Sequence, residues 1–517
     1  MHNDLSSNPG TPPSNDESGS RATNSPREQV AAVSRDRDTV RESARHDLTP
    51  AQALLLVRVL TAAAFIVILN ETTMTPAIAV LMDEFDVVES SAQWLTTAFM
   101  LTMAVAIPLT GWFIDRFGPR VSLLTAMSTF VVGTALATFA PTFGILLGAR
   151  VIQALGTAVM IPLLMTTLMN VIPESDRGRV MGSVSLAISV APAMGPFLAG
   201  EILKYLGWRW IFGIVLPLAI LVTLVAVKLI PRGGGAARES VDMLSVPLSV
   251  LGFGGIVWGL SSFGEGAEPP LPTWSLLVIG AVALAVLVWR QLSLRRGGHE
   301  PLLDVTAFAS KDFSVGVGLM TIGFAAFLGI MMILPLLMQV ANGDTPENAG
   351  RALMPAGLMM GLLGPLVGRI YDNHGARVVV VPGAILATLA LTAQALFAPG
   401  GSWILIAAIN FFAGAGLAMT FTPMFTASLS ALAPALYSHG SALLATLQQV
   451  GGAAGIAVLI SLMSVGSSAS GGAAPDPEFG SRLALFGAAG LMCVVIVLAF
   501  FTPKHKPTAA EGAPAAH

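Results

Sequence analysis

The chain has one cysteine, Cys493, among its 517 residues, so no internal disulfide can form, and its charged side chains amount to only 11% where soluble proteins carry about a quarter. Cys493 falls inside the last apolar stretch and reads as packing. Net charge is -3 with no run of Lys and Arg, which excludes a nucleic-acid-binding arm. No G-x4-G-K-[ST] loop occurs, so the chain carries no nucleotide-hydrolysing motor, and no metal-spaced Cys/His cluster or nucleophile elbow points to an enzyme. The first 50 residues hold no apolar h-region and are not a signal peptide.

What is present is apolar surface. Apolar residues fill 54% of positions, and stretches of about 20, enough to cross a bilayer, recur from Leu54 to Phe501. A membrane barrel would show segments of about ten residues alternating apolar and polar; these runs are apolar all round, and the expected class is an all-α membrane protein. Breaks between runs predict fourteen spans, at 54–80, 92–113, 121–140, 142–168, 180–203, 207–230, 243–263, 273–292, 314–340, 348–370, 376–397, 402–427, 439–465 and 482–502. Residues 1–50 are too polar to offset the entropy of ordering and read as a disordered tail, with Arg35–Arg45 either plain solvated chain or a transient surface helix. An even count puts both termini on one side. With the termini inside, sixteen Lys and Arg beyond the tail lie on that side, while the outside keeps Lys204, Arg209, Arg351 and Arg482. That bias predicts cytoplasmic termini.

Two loops repeat. GWFIDRFGPR, Gly111 to Arg120, follows the second span, and GRIYDNHGAR, Gly368 to Arg377, follows the tenth; both fit G-x3-D-x2-G-x-R at an offset of 257 residues. Two six-helix halves separated by an extra helix pair would give that offset, and duplicated halves are how many secondary transporters are built. Gly lets two helices approach, Asp meets positive helix ends, and Arg anchors the cytoplasmic end. With Arg150, Gln153 and Gly156 fitting R-x2-Q-x2-G and APAMGPFLAG, Ala191 to Gly200, approximating G-x3-G-P-x2-G-G, the sequence resembles the major facilitator superfamily, in its fourteen-helix drug:proton antiporter branch. The resemblance covers about 51–505. It implies a half at 51–231, two additional helices at 232–296, a second half at 297–505 and a short tail at 506–517. Two features depart from the branch's pattern: Asn70 with Glu71 beside it stands where an Asp is common, and Gln448-Gln449 replaces an Arg-Gln pair. Both resemble a subgroup associated with lincosamide and multidrug efflux.

Glu71 is the one carboxylate well inside a predicted span and Arg150 the one comparably deep cation. Either costs several kcal/mol to bury, about 2.5 or more on insertion scales, so Glu71 is expected to bind protons or a cationic substrate, with Asn70 beside it and Arg150 modulating its charge, or else to tie helix one to a neighbour. Arg150 could equally fix the fourth helix through backbone carbonyls. Gln153, Gln339, Asn410, Gln448 and Gln449 are candidates either to line a substrate cavity or to join helices. Gly111, Asp115, Arg116, Gly118, Arg120, Gly368, Asp372 and Arg377 form the expected conformational switch. By resemblance, Gly195-Pro196 in mid-helix seals the outer side, though a packing kink is the plain alternative. His439, opening the thirteenth span, reads as solvated or as a helix start rather than a relay. Expected partners are a small amphipathic substrate, protons and a plasma-membrane bilayer, with no nucleic acid, no cofactor beyond the proton gradient, and the chain acting as a monomer. Drug:proton antiport leads; export of a native metabolite, lipid or siderophore, or ligand sensing without transport, remain open.

Overall fold

A chain this apolar can satisfy its backbone amides in hydrocarbon only through its own helices, and helices are what the computed structural model contains. It describes residues 49–74, 77–229, 242, 244–262, 272–297, 299, 301–469 and 476–502. The expected tail up to residue 48, the stretch Arg35–Arg45, the terminal tail 506–517 and the acidic Glu265 and Glu268 lie outside these. The helices are α1 Pro50–Thr72, α2 Ile78–Phe85, α3 Glu89–Thr138, α4 Phe143–Val171, α5 Arg177–Tyr205 and α6 Arg209–Leu229. Then come α7, running from Ser245 to Ser261 through a π turn at Val250–Gly254, and α8 Thr273–Arg296. The last six are α9 Lys311–Leu336, α10 Pro346–His374, α11 Ala376–Phe397, α12 Trp403–Ser430, α13 Tyr437–Ala469 and α14 Pro477–Ala499.

Among the described residues, eleven helices are long and apolar enough to cross a membrane. One of them, Trp94–Thr138 within α3, has 45 residues, about 68 Å at 1.5 Å each, or two crossings. Gly118, at φ 74°, breaks it; only a residue without Cβ adopts that angle freely. With the polar-started α5 and the short Ser245–Leu260, the helices are consistent with the expected fourteen traverses.

Both ends of the first span differ from expectation. The first span begins at Pro50 rather than 54, because Thr49 and Gln52 form a reciprocal capping box. It ends at Thr72 rather than 80. The Thr72 hydroxyl bonds back to the carbonyls of Ile68 and Leu69, and that of Thr73 to Asn70; Pro76 follows, with no N–H to extend the ladder. The short α2 then lies over the end of the first half. Met74, Ala77 and Leu81 pack with Leu146, Ala149, Trp208 and Phe212, and Phe85 meets the rings of Phe143 and Trp208 edge-on.

The extra pair, α7 and α8, is held together by small residues and one ion pair. Gly252, Gly255 and Gly259 stand on one face of α7, where added methyls would strike Leu284, Gly280 and Leu277 of α8. At the end leading into α9, Arg290 grips Asp242 through two hydrogen bonds of 2.6 Å, Ser245 donates to the same carboxylate, and Gln291 links Ser245 to the Leu303 amide. Chiefly through the Arg290 hydrogen bonds, the Asp242 carboxyl is lowered from 3.8 to about 2. A depressed carboxyl contributes stability above its unfolded pKa and loses it as pH falls through the folded one. We therefore expect Asp242→Asn to lower the thermal midpoint by about 2 °C or more at pH 7, the gap closing between about pH 4 and pH 2; a scan showing a pH-independent gap would contradict the pair's role.

Helix α7 does not stay on the periphery. Val257 packs with Ala104 of α3 and Ala453 of α13, an added methyl on Gly254 would meet Val105, and Trp258 lies edge-on to Trp94 at 6.0 Å. It thus wedges between one helix of each half.

Candidate functional site

Helix α4 carries the deepest charge. Arg150 is fully buried, and each of its contacts is to a neutral group: Nε donates to the Leu95 carbonyl at 3.3 Å, and Nη1 to Gln153 Oε1 at 3.1 Å and Asn70 Oδ1 at 3.4 Å. The guanidinium lies 4.1 Å from the centre of the Phe99 ring, an interaction of about 2 kcal/mol when desolvated. Gln153 is fixed in turn by donating to Thr134 at 3.0 Å, and Gly133 lets α3 come so close that an added methyl would lie 2.8 Å from Gln153 Cγ. Sequence reasoning found Asn70, Arg150 and Gln153; it missed Phe99, Leu95 and Thr134, which tertiary packing of α3 alone brings in.

Glu71 is part-buried at the last turn of α1 and within Coulombic range of Arg150. Among the described residues it accepts no hydrogen bond and forms no ion pair. The structure therefore brings Asn70, Glu71, Arg150 and Gln153 together. Gly195 of α5 closes on the same turn of α1: an added methyl would strike the Thr72 hydroxyl. Pro196 lies in the same helix.

Of the other amides, Gln448 is 8% exposed, Gln449 is part-buried, and neither makes a hydrogen bond among the described residues. Asn410 is committed to helix joining, accepting from Gln394 at 2.6 Å and donating to the Ala352 carbonyl at 2.8 Å. Gln339 is exposed in the π turn that ends α9. The structure thus does not bring Asn410 or Gln339 to the cluster.

The repeated loops lock the halves at the end of the molecule bearing most of the basic residues. Asp372 accepts from the backbone amides of Gly178 at 3.0 Å and Arg179 at 2.8 Å, the first turn of α5, where free N–H groups and the helix dipole favour an anion. Asp115 accepts from Ser438 at 2.5 Å and stands 3.6 Å from His439, at the first turn of α13. Each Asp belongs to one half and its receiver to the other. Gly118 and its counterpart Gly375 take φ of 74° and 83°, which explains the glycine in both copies. Arg120 ties α3 to the Val227 carbonyl at 2.8 Å, and Arg377 lies over Phe500. Gly111 and Gly368 are contact points, where added methyls would meet His439 and Gly178. The receivers on α5 and α13 were not foreseen; their signal was a Pro and a single 3-10 turn, Glu174–Asp176 and Pro434–Leu436, ahead of both helices.

More cross-half bonds gather at that end, including Thr166 with Ser441 at 2.8 Å and Ser441 to the Pro162 carbonyl at 3.2 Å. Below them α5 and α10 meet backbone to backbone at Gly178, Gly182, Gly364 and Gly368.

The profile of the Major Facilitator Superfamily matches residues 60–456. The chain belongs to the Major Facilitator Superfamily. Within that superfamily it is 36% identical to the lincomycin resistance protein LmrB of Listeria innocua, over 86% of this chain and 95% of that one. It is 30% identical to the multidrug export protein EmrB of Haemophilus influenzae, over 78% and 79% respectively. The crystal structure of the human organic anion transporter MFSD10 (TETRAN) shares the major facilitator fold, with a TM-score of 0.63 at 15% identity, covering 87% of this chain and all of that one. The chain is therefore a multi-pass membrane transporter.

Proposed function

We propose that this protein exports small amphipathic compounds, drugs and antibiotics among them, in exchange for protons, by alternating access in a plasma membrane. The observation that carries the reading is Glu71: a carboxylate that makes no hydrogen bond or close ion pair among the described residues, placed at a helix end beside a fully buried arginine whose hydrogen bonds go to neutral groups. Such a group is free to take up a proton or a substrate donor. A structural carboxylate would be found paired. Because Arg150 is held by Asn70, Gln153 and Phe99, it stays in place whether Glu71 is ionised or neutral, and a proton and a substrate can compete for one oxygen pair.

The excess of Lys and Arg at the locked end supports placing that end, and both termini, in the cytoplasm. The Asp115 and Asp372 locks then close the inner side. The names of the relatives, lincomycin resistance and multidrug export, support the substrate class. Both halves lie in one chain, in keeping with a working monomer, and the proton gradient supplies the energy without a bound cofactor.

Purified protein in liposomes tests this. An inward-directed proton gradient should drive lincomycin export, with alkalinisation of the proton-rich side, at about tenfold or more over the rate without a gradient. Equal fluxes with and without the gradient would refute proton coupling.

A further inference from the structure

The charges at the site add up in a way that selects substrates. Among the charged side chains of the spanning helices, Glu71 and Arg150 are the two that meet in the interior away from the basic end; Arg177 is buried at that end, and Glu201 and Arg58 are exposed. The negative end of α1 is no bare pole either, since the Thr72 and Thr73 hydroxyls cover the carbonyls of Ile68, Leu69 and Asn70. With Glu71 protonated the site therefore carries one positive charge, and with Glu71 ionised it carries none. In neither state is it negative.

The facing wall is uncharged and hydrogen-bonding. Ala445 of α13 packs with Phe99, Met103, Ala154 and Ala158 of the first half, and Gln448 and Gln449 follow three and four residues on, on the same face of the helix. They stand one turn beyond the point where α13 touches the ring that carries Arg150. Beside them, Thr321 of α9 abuts Gly451, and its buried hydroxyl makes no hydrogen bond among the described residues. Phe324, Phe327 and Phe421 form a contiguous aromatic cluster at centroid separations of 5.9 to 6.4 Å, and Phe324 lies close to Gly452. Unspent amides offer both donors and acceptors, and the rings offer an apolar face.

Resting on the exchange reading above, we infer that the substrates are uncharged amphiphiles bearing hydroxyl or amide N–H donors next to an aromatic or apolar ring, and that permanent cations are poor substrates. A donor group bonds to the ionised Glu71 carboxylate and so competes with the proton, which is what exchange requires. A permanent cation meets one positive charge or none. Each cycle sends out a neutral molecule and brings in at least one proton, so net positive charge moves inward and an inside-negative potential must drive the export.

Chloramphenicol, neutral with hydroxyl and amide groups on an aromatic ring, and tetraphenylphosphonium, a permanent cation, separate the alternatives with the full chain in detergent and in liposomes. Chloramphenicol should bind at least tenfold more tightly at pH 8 than at pH 5.5, and at least tenfold more tightly than tetraphenylphosphonium at either pH. A potassium diffusion potential without a pH gradient should drive its export. Gln448→Leu with Gln449→Leu should weaken its binding about tenfold while the protein remains monodisperse and the pH dependence set by Glu71 persists. Tetraphenylphosphonium binding as tightly as chloramphenicol, export indifferent to potential, or no chloramphenicol binding would each overturn the inference. Proton-coupled export of tetraphenylphosphonium would do so while leaving the exchange function intact; absence of proton-coupled flux for lincomycin as well as for both of these compounds would instead refute the function.

Discussion

Glu71→Gln abolishes gradient-driven export, with flux falling by about tenfold or more, while the protein stays folded and monodisperse. The amide keeps the shape of the side chain and its place beside Thr72 and Arg150, so packing is retained. It can neither gain nor lose a proton, and substrate binding becomes independent of pH. The converse measurement sharpens the result: gradient-free exchange of labelled substrate across the membrane needs no proton cycle and should survive in the variant. Wild-type gradient-driven flux in Glu71→Gln would remove this carboxyl from the mechanism. Loss of both kinds of flux with an aggregated protein would mean that Glu71 holds α1 in place.

Gly364→Leu is expected to be as damaging by a different route. An added methyl at Gly364 would strike the Gly182 carbonyl, with Ser185 3.5 Å away, so a leucine cannot be accommodated while α5 and α10 touch. The inner end is forced apart, Asp372 loses the amides of Gly178 and Arg179, and the cycle stalls facing inward. Turnover should fall by about tenfold or more, since each kilocalorie lost from the closed state shifts its population about fivefold. Spin labels on the inner ends of α5 and α10, in a background where the single native Cys493 is replaced by Ser, should report a longer distance in the variant. An unchanged distance with normal turnover would show that the glycine contact is dispensable.

The helices were legible because their signal is local. Long apolar runs of Leu, Ala, Val and Gly have few alternatives in hydrocarbon, and the repeat of G-x3-D-x2-G-x-R located the two locks through residues whose backbone angle, at Gly118 and Gly375, only glycine meets freely. Arg150 and Gln153 were legible as a pair because three residues separate them on one helix. What the sequence could not convey is whatever depends on one helix meeting another. Phe99 and Thr134 looked like two more apolar or hydroxyl residues until α3 folded against α4. Asn410 and Gln448 are alike as amides in apolar helices, yet one bonds to Gln394 and Ala352 and the other makes no hydrogen bond among the described residues. The end of α1 was misplaced by eight residues because hydropathy continues through Thr72 into α2, while hydroxyl back-bonds that interrupt the helix leave the apolar count unchanged.

Helix α7 packs against α3 of one half and α13 of the other, whereas at the second seam α5 and α10 meet directly through their glycines. Any movement of one half against the other must therefore slide past the inserted pair on the α7 flank.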